Sequence, residues 1–114
     1  MKDITIPPVK RGDTWNFKFT WQDQNTPINL TDCTERMQIL DKTTLLMAAE
    51  ATTANGQILI DGPTGGVTVT FTATETTSIA PGRYVSDLEL TFTGTGIVQS
   101  SDTMHIIVIE DITR

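Results

Sequence analysis

Few side chains of this chain have types and spacings suited to chemistry: one histidine, His105, one cysteine, Cys33, and two carboxylate pairs, Asp87 with Glu89 and Glu110 with Asp111. His105 sits in the apolar run Met104-His105-Ile106-Ile107, which suits a packed or surface strand residue better than a base. No serine or cysteine has a sequence partner that would activate it as a nucleophile. Zinc requires clustered Cys and His, and a lone residue of each does not supply them. Asp87 and Glu89 lie two residues apart, hence on one face if the segment is a strand. A glycosidase needs its two carboxyls across a cleft, so a solvated strand face is the preferred reading. Glu110 and Asp111 offer oxygens to calcium, but no EF-hand loop accompanies them. Cys33 has no partner for an intrachain disulfide and reads as a small, half-buried side chain.

Three short motifs are also read as structural. Gly62, Gly65 and Gly66 lack the Lys-Ser or Lys-Thr of a phosphate-binding loop and read as turn residues. Arg11-Gly12-Asp13 matches an integrin-recognition tripeptide, yet Gly and Asp there shape the entry to a strand. Asn29-Leu30-Thr31 is formally a glycosylation acceptor, with no secretory signal to give it meaning. No catalytic, cofactor-binding or metal-binding residue is therefore expected.

The elements that would position any site are β-strands. In Trp15-Asn16-Phe17-Lys18-Phe19-Thr20-Trp21, four large rings fall on every second residue. A strand puts all four on one face, whereas a helix would scatter them. Burying each ring is worth roughly 1.5–3 kcal/mol, so this face must enter a core or an interface. Phe17 and Phe19 are expected in the core. Trp15 and Trp21, at the strand ends, are expected to be partly exposed and to touch a neighbour.

Composition points the same way. The chain has 22 threonines among 114 residues, and Thr, Val and Ile suit pleated surfaces. One domain spanning residues 1–114 fits this length. The net charge of −6 and the scattered basic residues argue against nucleic-acid binding. No stretch approaches the roughly 20 apolar residues of a membrane span. The start, Met-Lys-Asp-Ile-Thr-Ile-Pro-Pro, lacks the apolar run of a signal peptide, so synthesis and assembly in a cytoplasm are expected. Both chain ends are expected to be held by partners or by terminal strands.

Taken in order, Ile4 and Ile6 alternate with polar residues before Pro7-Pro8, giving an edge strand or extended arm over residues 1–10. Strands are expected over 34–40, 45–51, 57–60 and 67–72, then a long one from Arg83 to Phe92. The return strand runs from 97 to 109, bent at Ser100-Ser101-Asp102. Ala73 to Ile79 reads as one helical turn, with Thr74 as its cap and Glu75 in its first turn. The pattern predicts an all-β antiparallel β-sandwich, Ig-like or jelly-roll-like, with about eight short strands and at most one short helical turn.

The order of signals also carries a resemblance. Arg11-Gly12-Asp13-Thr14 leads an alternating strand, and Thr26-Pro27-Ile28-Asn29-Leu30-Thr31 looks like a turn of many phage proteins. Gly66-Val67-Thr68-Val69-Thr70, Thr74-Glu75-Thr76, Pro81-Gly82-Arg83-Tyr84, Asp87-Leu88-Glu89-Leu90 and the closing Ile109-Glu110-Asp111-Ile112-Thr113-Arg114 follow. This order resembles small virion proteins of tailed bacteriophages, including capsid decoration proteins and the N-terminal β-sandwich of the baseplate upper protein family. The resemblance implies a non-enzymatic virion protein without cofactors, assembled in the host cytoplasm. Its first expected partner is the major capsid protein, which it would clamp as a decoration or cement protein; its second is a tail or baseplate protein. A carbohydrate-binding module with exposed aromatic rings and, last, a small hydrolase are the other readings. A homo-oligomer through exposed strand edges stays open. The expected partner-binding residues are Ile4, Ile6, Pro7 and Pro8 in the arm, Trp15 and Trp21, and Ile112 and Arg114 in the tail.

Overall fold

A computed structural model describes residues 6–23 and 26–110. The expected residues Ile4, Ile112 and Arg114 lie outside that range. The strands are β1 (Val9–Lys10), β2 (Trp15–Thr20), β3 (Gln22–Asp23), β4 (Thr26–Pro27), β5 (Cys33–Asp41), β6 (Met47–Thr52), β7 (Ile58–Asp61), β8 (Gly66–Phe71), β9 (Gly82–Phe92), β10 (Ile97–Ser100) and β11 (Met104–Ile109). A 3-10 turn spans Gly62–Thr64 and a five-residue helix, α1, spans Ala73–Thr77. The chain is all-β and packs as a sandwich of two sheets. The larger has the order β1-β11-β9-β5-β6, with β10 also on β9, and the smaller the order β2-β8-β7. Pairing is antiparallel except for β1, which runs parallel to β11.

The period-two faces meet between the sheets. In β2, Trp15, Phe17 and Phe19 oppose Phe71, Val69 and Val67 of β8. Phe17 and Phe71 rings meet edge to face with centroids 6.1 Å apart, a favoured aromatic geometry. The larger sheet answers with Met37 and Ile39 of β5, Leu88 and Leu90 of β9, and Met104, Ile106 and Val108 of β11.

The long strand β9 takes its return partner in two pieces. β10 pairs with Glu89–Phe92 and β11 with Gly82–Ser86. Four steps separate Ser100 from Met104, but only three separate Glu89 from Ser86, so one extra residue is bulged out between them. Ser101, buried at the bend, donates its N–H to Leu88 O and accepts the Leu88 N–H on Oγ, both at 2.9 Å. Its side chain thus carries the ladder across the break.

Two boundaries differ from the sequence reading. The strand expected from Leu45 begins at Met47, because Leu45 takes a left-handed φ of 59° and closes a loop back onto Asp41. The Asp41 carboxylate accepts the Thr43 and Thr44 N–H groups, which holds its pKa below the usual carboxylate value. The cap of α1 is Thr72 rather than Thr74: its hydroxyl accepts from Glu75 N–H and the Glu75 carboxylate accepts from Thr72 N–H, a complete capping box.

Candidate interaction surface

The groups singled out for chemistry are dispersed. His105 and Asp87 are exposed on the outer face of the larger sheet, and Glu89 pairs there with Arg36 at 3.2 Å. Arg11-Gly12-Asp13 is folded against α1. The buried Thr76 hydroxyl accepts the Gly12 N–H and donates to Asp13 O, while Arg11 Nε donates to Thr77 O. Gly62 and Gly65 serve close backbone packing. A Cβ at Gly65, where φ is +72°, would stand 2.7 Å from Trp21 O. Gly65 O in turn accepts the Trp21 N–H, and Trp21 O the Ile28 N–H.

Both tryptophans correct the expectation of partial exposure. Trp15 is 3 % and Trp21 2 % exposed. The smaller sheet is covered at each end by chain that the sequence pattern did not place. Lys10 O, at the end of β1, accepts the Trp15 indole N–H at 2.8 Å. Trp21, beyond β2, turns inward and donates its indole N–H to Glu35 Oε1 of β5 at 2.5 Å. Neither ring offers a face for a sugar or a neighbour. In the arm, Ile6 is half-buried against the core and Pro7 and Pro8 are exposed. A cleft of about 310 Å3 lies between residues 6–9 and Phe17 and Phe19.

Glu35 belongs to no sequence motif. It is only 3 % exposed, its Oε2 has no hydrogen-bond partner among the described residues, and burial pushes its pKa up to about 7 against the lowering effect of the Trp21 bond. Parity could have found it, since Glu35 shares the inward face of β5 with Met37 and Ile39. Cys33, next on that face, is half-buried. Burial, and then the negative charges of Glu35 and Asp32, raise its thiol pKa, which keeps it protonated and weakly nucleophilic.

What the fold does assemble is surface for contact. At the Cys33 end of the larger sheet, a groove of about 520 Å3 runs between the β9–β10 hairpin and the 29–33 loop. Phe92, Ile97 and Cys33 give it apolar walls, and Asp32 and Gln99 polar ones. Two bonds from Thr93, N–H and Oγ to Asp32 O, tie the hairpin to the loop. Leu30, buried, anchors the loop through its N–H to Gly62 O. Beside the groove, the outer edge of β10 has no partner strand among the described residues and carries no charged residue, and its Ile97 and Val98 are each 53 % exposed. Bonded pairs alternate along an antiparallel ladder, and Ser101 bonds Leu88, so Gln99 and Ile97 bond β9 in turn. Val98 and Ser100 therefore present their N–H and C=O groups outward. An extended chain can add there as a further strand while placing a side chain in the groove.

At the other end of the same sheet, Leu45, Leu46 and Met47 are exposed next to Asp41. The two apolar surfaces are eight residues apart along β5, roughly 26 Å at strand rise. These features define a two-sheet all-β sandwich with an open, apolar edge. No family model and no curated protein sequence matches the chain.

Proposed function

We propose that this protein is a non-enzymatic structural module of a tailed-phage particle, which decorates the capsid by binding neighbouring copies of the major capsid protein. The observation that carries this reading is the pair of exposed apolar surfaces, Ile97–Val98 and Leu45–Met47, at opposite ends of one rigid sheet. Two docking surfaces held roughly 26 Å apart suit a clamp across a seam between subunits. Isolated exposed apolar residues are ordinary on a protein surface, whereas three in a row, or two on an unpaired strand edge, favour contact with another chain. The likeness in sequence order to virion β-sandwich proteins supplies the particle.

The test is cross-linking of assembled particles followed by mass spectrometry. Adducts from the 43–47 and 95–99 regions to the major capsid protein are expected. Adducts confined to tail proteins would replace the decoration role by that of a baseplate adaptor. Binding of purified protein to empty capsids is expected to be lost in the double variant Leu46→Lys, Ile97→Lys.

A further inference from the structure

Glu35 is a second feature of the molecule with no part in docking. Its carboxyl lies between the sheets, one oxygen bonded to the Trp21 indole and the other with no donor. Along its own face of the sheet the neighbours carry no charge: Leu90 lies directly opposite on β9 and Met37 follows on β5, both buried, and on the β6 side Thr53 donates its N–H to Glu35 O. The titratable groups close to it are Cys33 on its own strand and Asp32 just before it, neither a cation. Tyr84, the inward titratable residue of β9, stands opposite Asp41, six residues along β5. Arg36 points to the outer face, where Glu89 engages it. Nothing among the described residues compensates a negative charge at this place except one indole N–H.

We propose that Glu35 is a proton-operated latch: the sandwich closes fully over the neutral acid and loosens around Trp21 when the acid ionises. A buried carboxylate with one donor and no counter-ion is costly, and water reaching Oε2 relieves that cost. The segment able to give way is the one that seats Trp21. It is held to the 62–66 turn and to Ile28 by single backbone bonds at Trp21 N and O. The sign follows from linkage. The unfolded chain releases this proton near 4.5 and the folded chain near 7, so the native state holds more protons in between. The group's contribution to stability is complete below 4.5, falls as pH rises through the interval, and is flat above it. This is the reverse of Asp41, whose lowered pKa favours the fold in its ionised form.

The test uses the full chain carrying H105Q, which leaves no imidazole in the molecule. The two indole N–H resonances are followed by NMR from pH 4.5 to 8, with Trp21 assigned through W21F. The Trp21 resonance is expected to shift with a midpoint near 7 while that of Trp15, bonded to Lys10 O, stays in place. The unfolding equilibrium constant is expected to rise by roughly 150-fold over the same range, approaching ten-fold per pH unit between the two pKa values. E35Q is expected to abolish both responses. A Trp21 resonance that does not move, or that moves equally in E35Q, overturns the proposal. Should E35Q fail to fold, the glutamate side-chain carbons of the parent chain decide: one titrating near 7 supports the latch, and none above 5.5 refutes it.

Discussion

Trp21 and Glu35 form a polar contact inside an apolar interior, and the balance there is delicate. Replacing Trp21 by Phe removes the one donor to the carboxyl. Chemical denaturation at pH 7 is expected to show a loss of about 1–3 kcal/mol, the cost of stranding a buried acceptor. The Glu35 pKa is expected to rise further in that variant, because the bond that lowers it is gone. Ser101 poses the complementary case. Ser101→Ala leaves the Leu88 N–H without its acceptor at a buried bend, and about 1–3 kcal/mol of stability should go with it. Hydrogen exchange at Leu88 is the specific readout, since loss of that acceptor unprotects one amide well beyond its neighbours.

Among the elements, the turn at 62–66 and the helix α1 have measurable parts in holding the sheets. Gly65→Ala places a methyl against Trp21 O and Ile28 O on a left-handed backbone, so a loss of about 2 kcal/mol or more is expected in thermal unfolding. α1 is too short to persist alone, and its capping box fixes the turn that docks on Arg11–Asp13. Thr72→Ala should cost about 1 kcal/mol. Strands with strict alternation are legible because their parity is written locally: the runs expected at 15–21 and 67–72 fold as β2 at 15–20 and β8 at 66–71. The 45–51 segment is less so: its start is decided by the left-handed Leu45, a conformation set by closure onto Asp41 rather than by any preference of leucine.

As a whole, the molecule is longer than it is wide, with extents of 43 × 24 × 24 Å. The proposed clamp would use that shape to hold its two contact surfaces apart. The double variant Leu46→Lys, Ile97→Lys changes only exposed positions. Its melting temperature is expected to stay within a few degrees of the parent, with stability altered by about 0.5 kcal/mol or less per site, while capsid binding disappears. Loss of folding in this variant would show that these residues belong to the core instead.

The sequence by itself determined the class of the fold. Alternating runs, threonine content and turn residues require strands with one wet and one dry face, and two such sets can only close by packing face to face. It also placed Phe17, Phe19, Val67, Val69, Phe71 and Leu88 on dry faces, since parity belongs to the strand alone. The tertiary structure decided which strand ends are covered. Trp15 and Trp21 look like terminal, half-exposed rings in the sequence, yet Lys10 and Glu35, each far enough along the chain to fold back, shelter them. It likewise decided that Glu35, one more carboxylate in an acidic chain, would lose its solvent, and that β10 would have no second partner strand among the described residues. Burial depends on what lies across from a residue, and that neighbour is chosen by long-range pairing, not by the residue's own position in a strand.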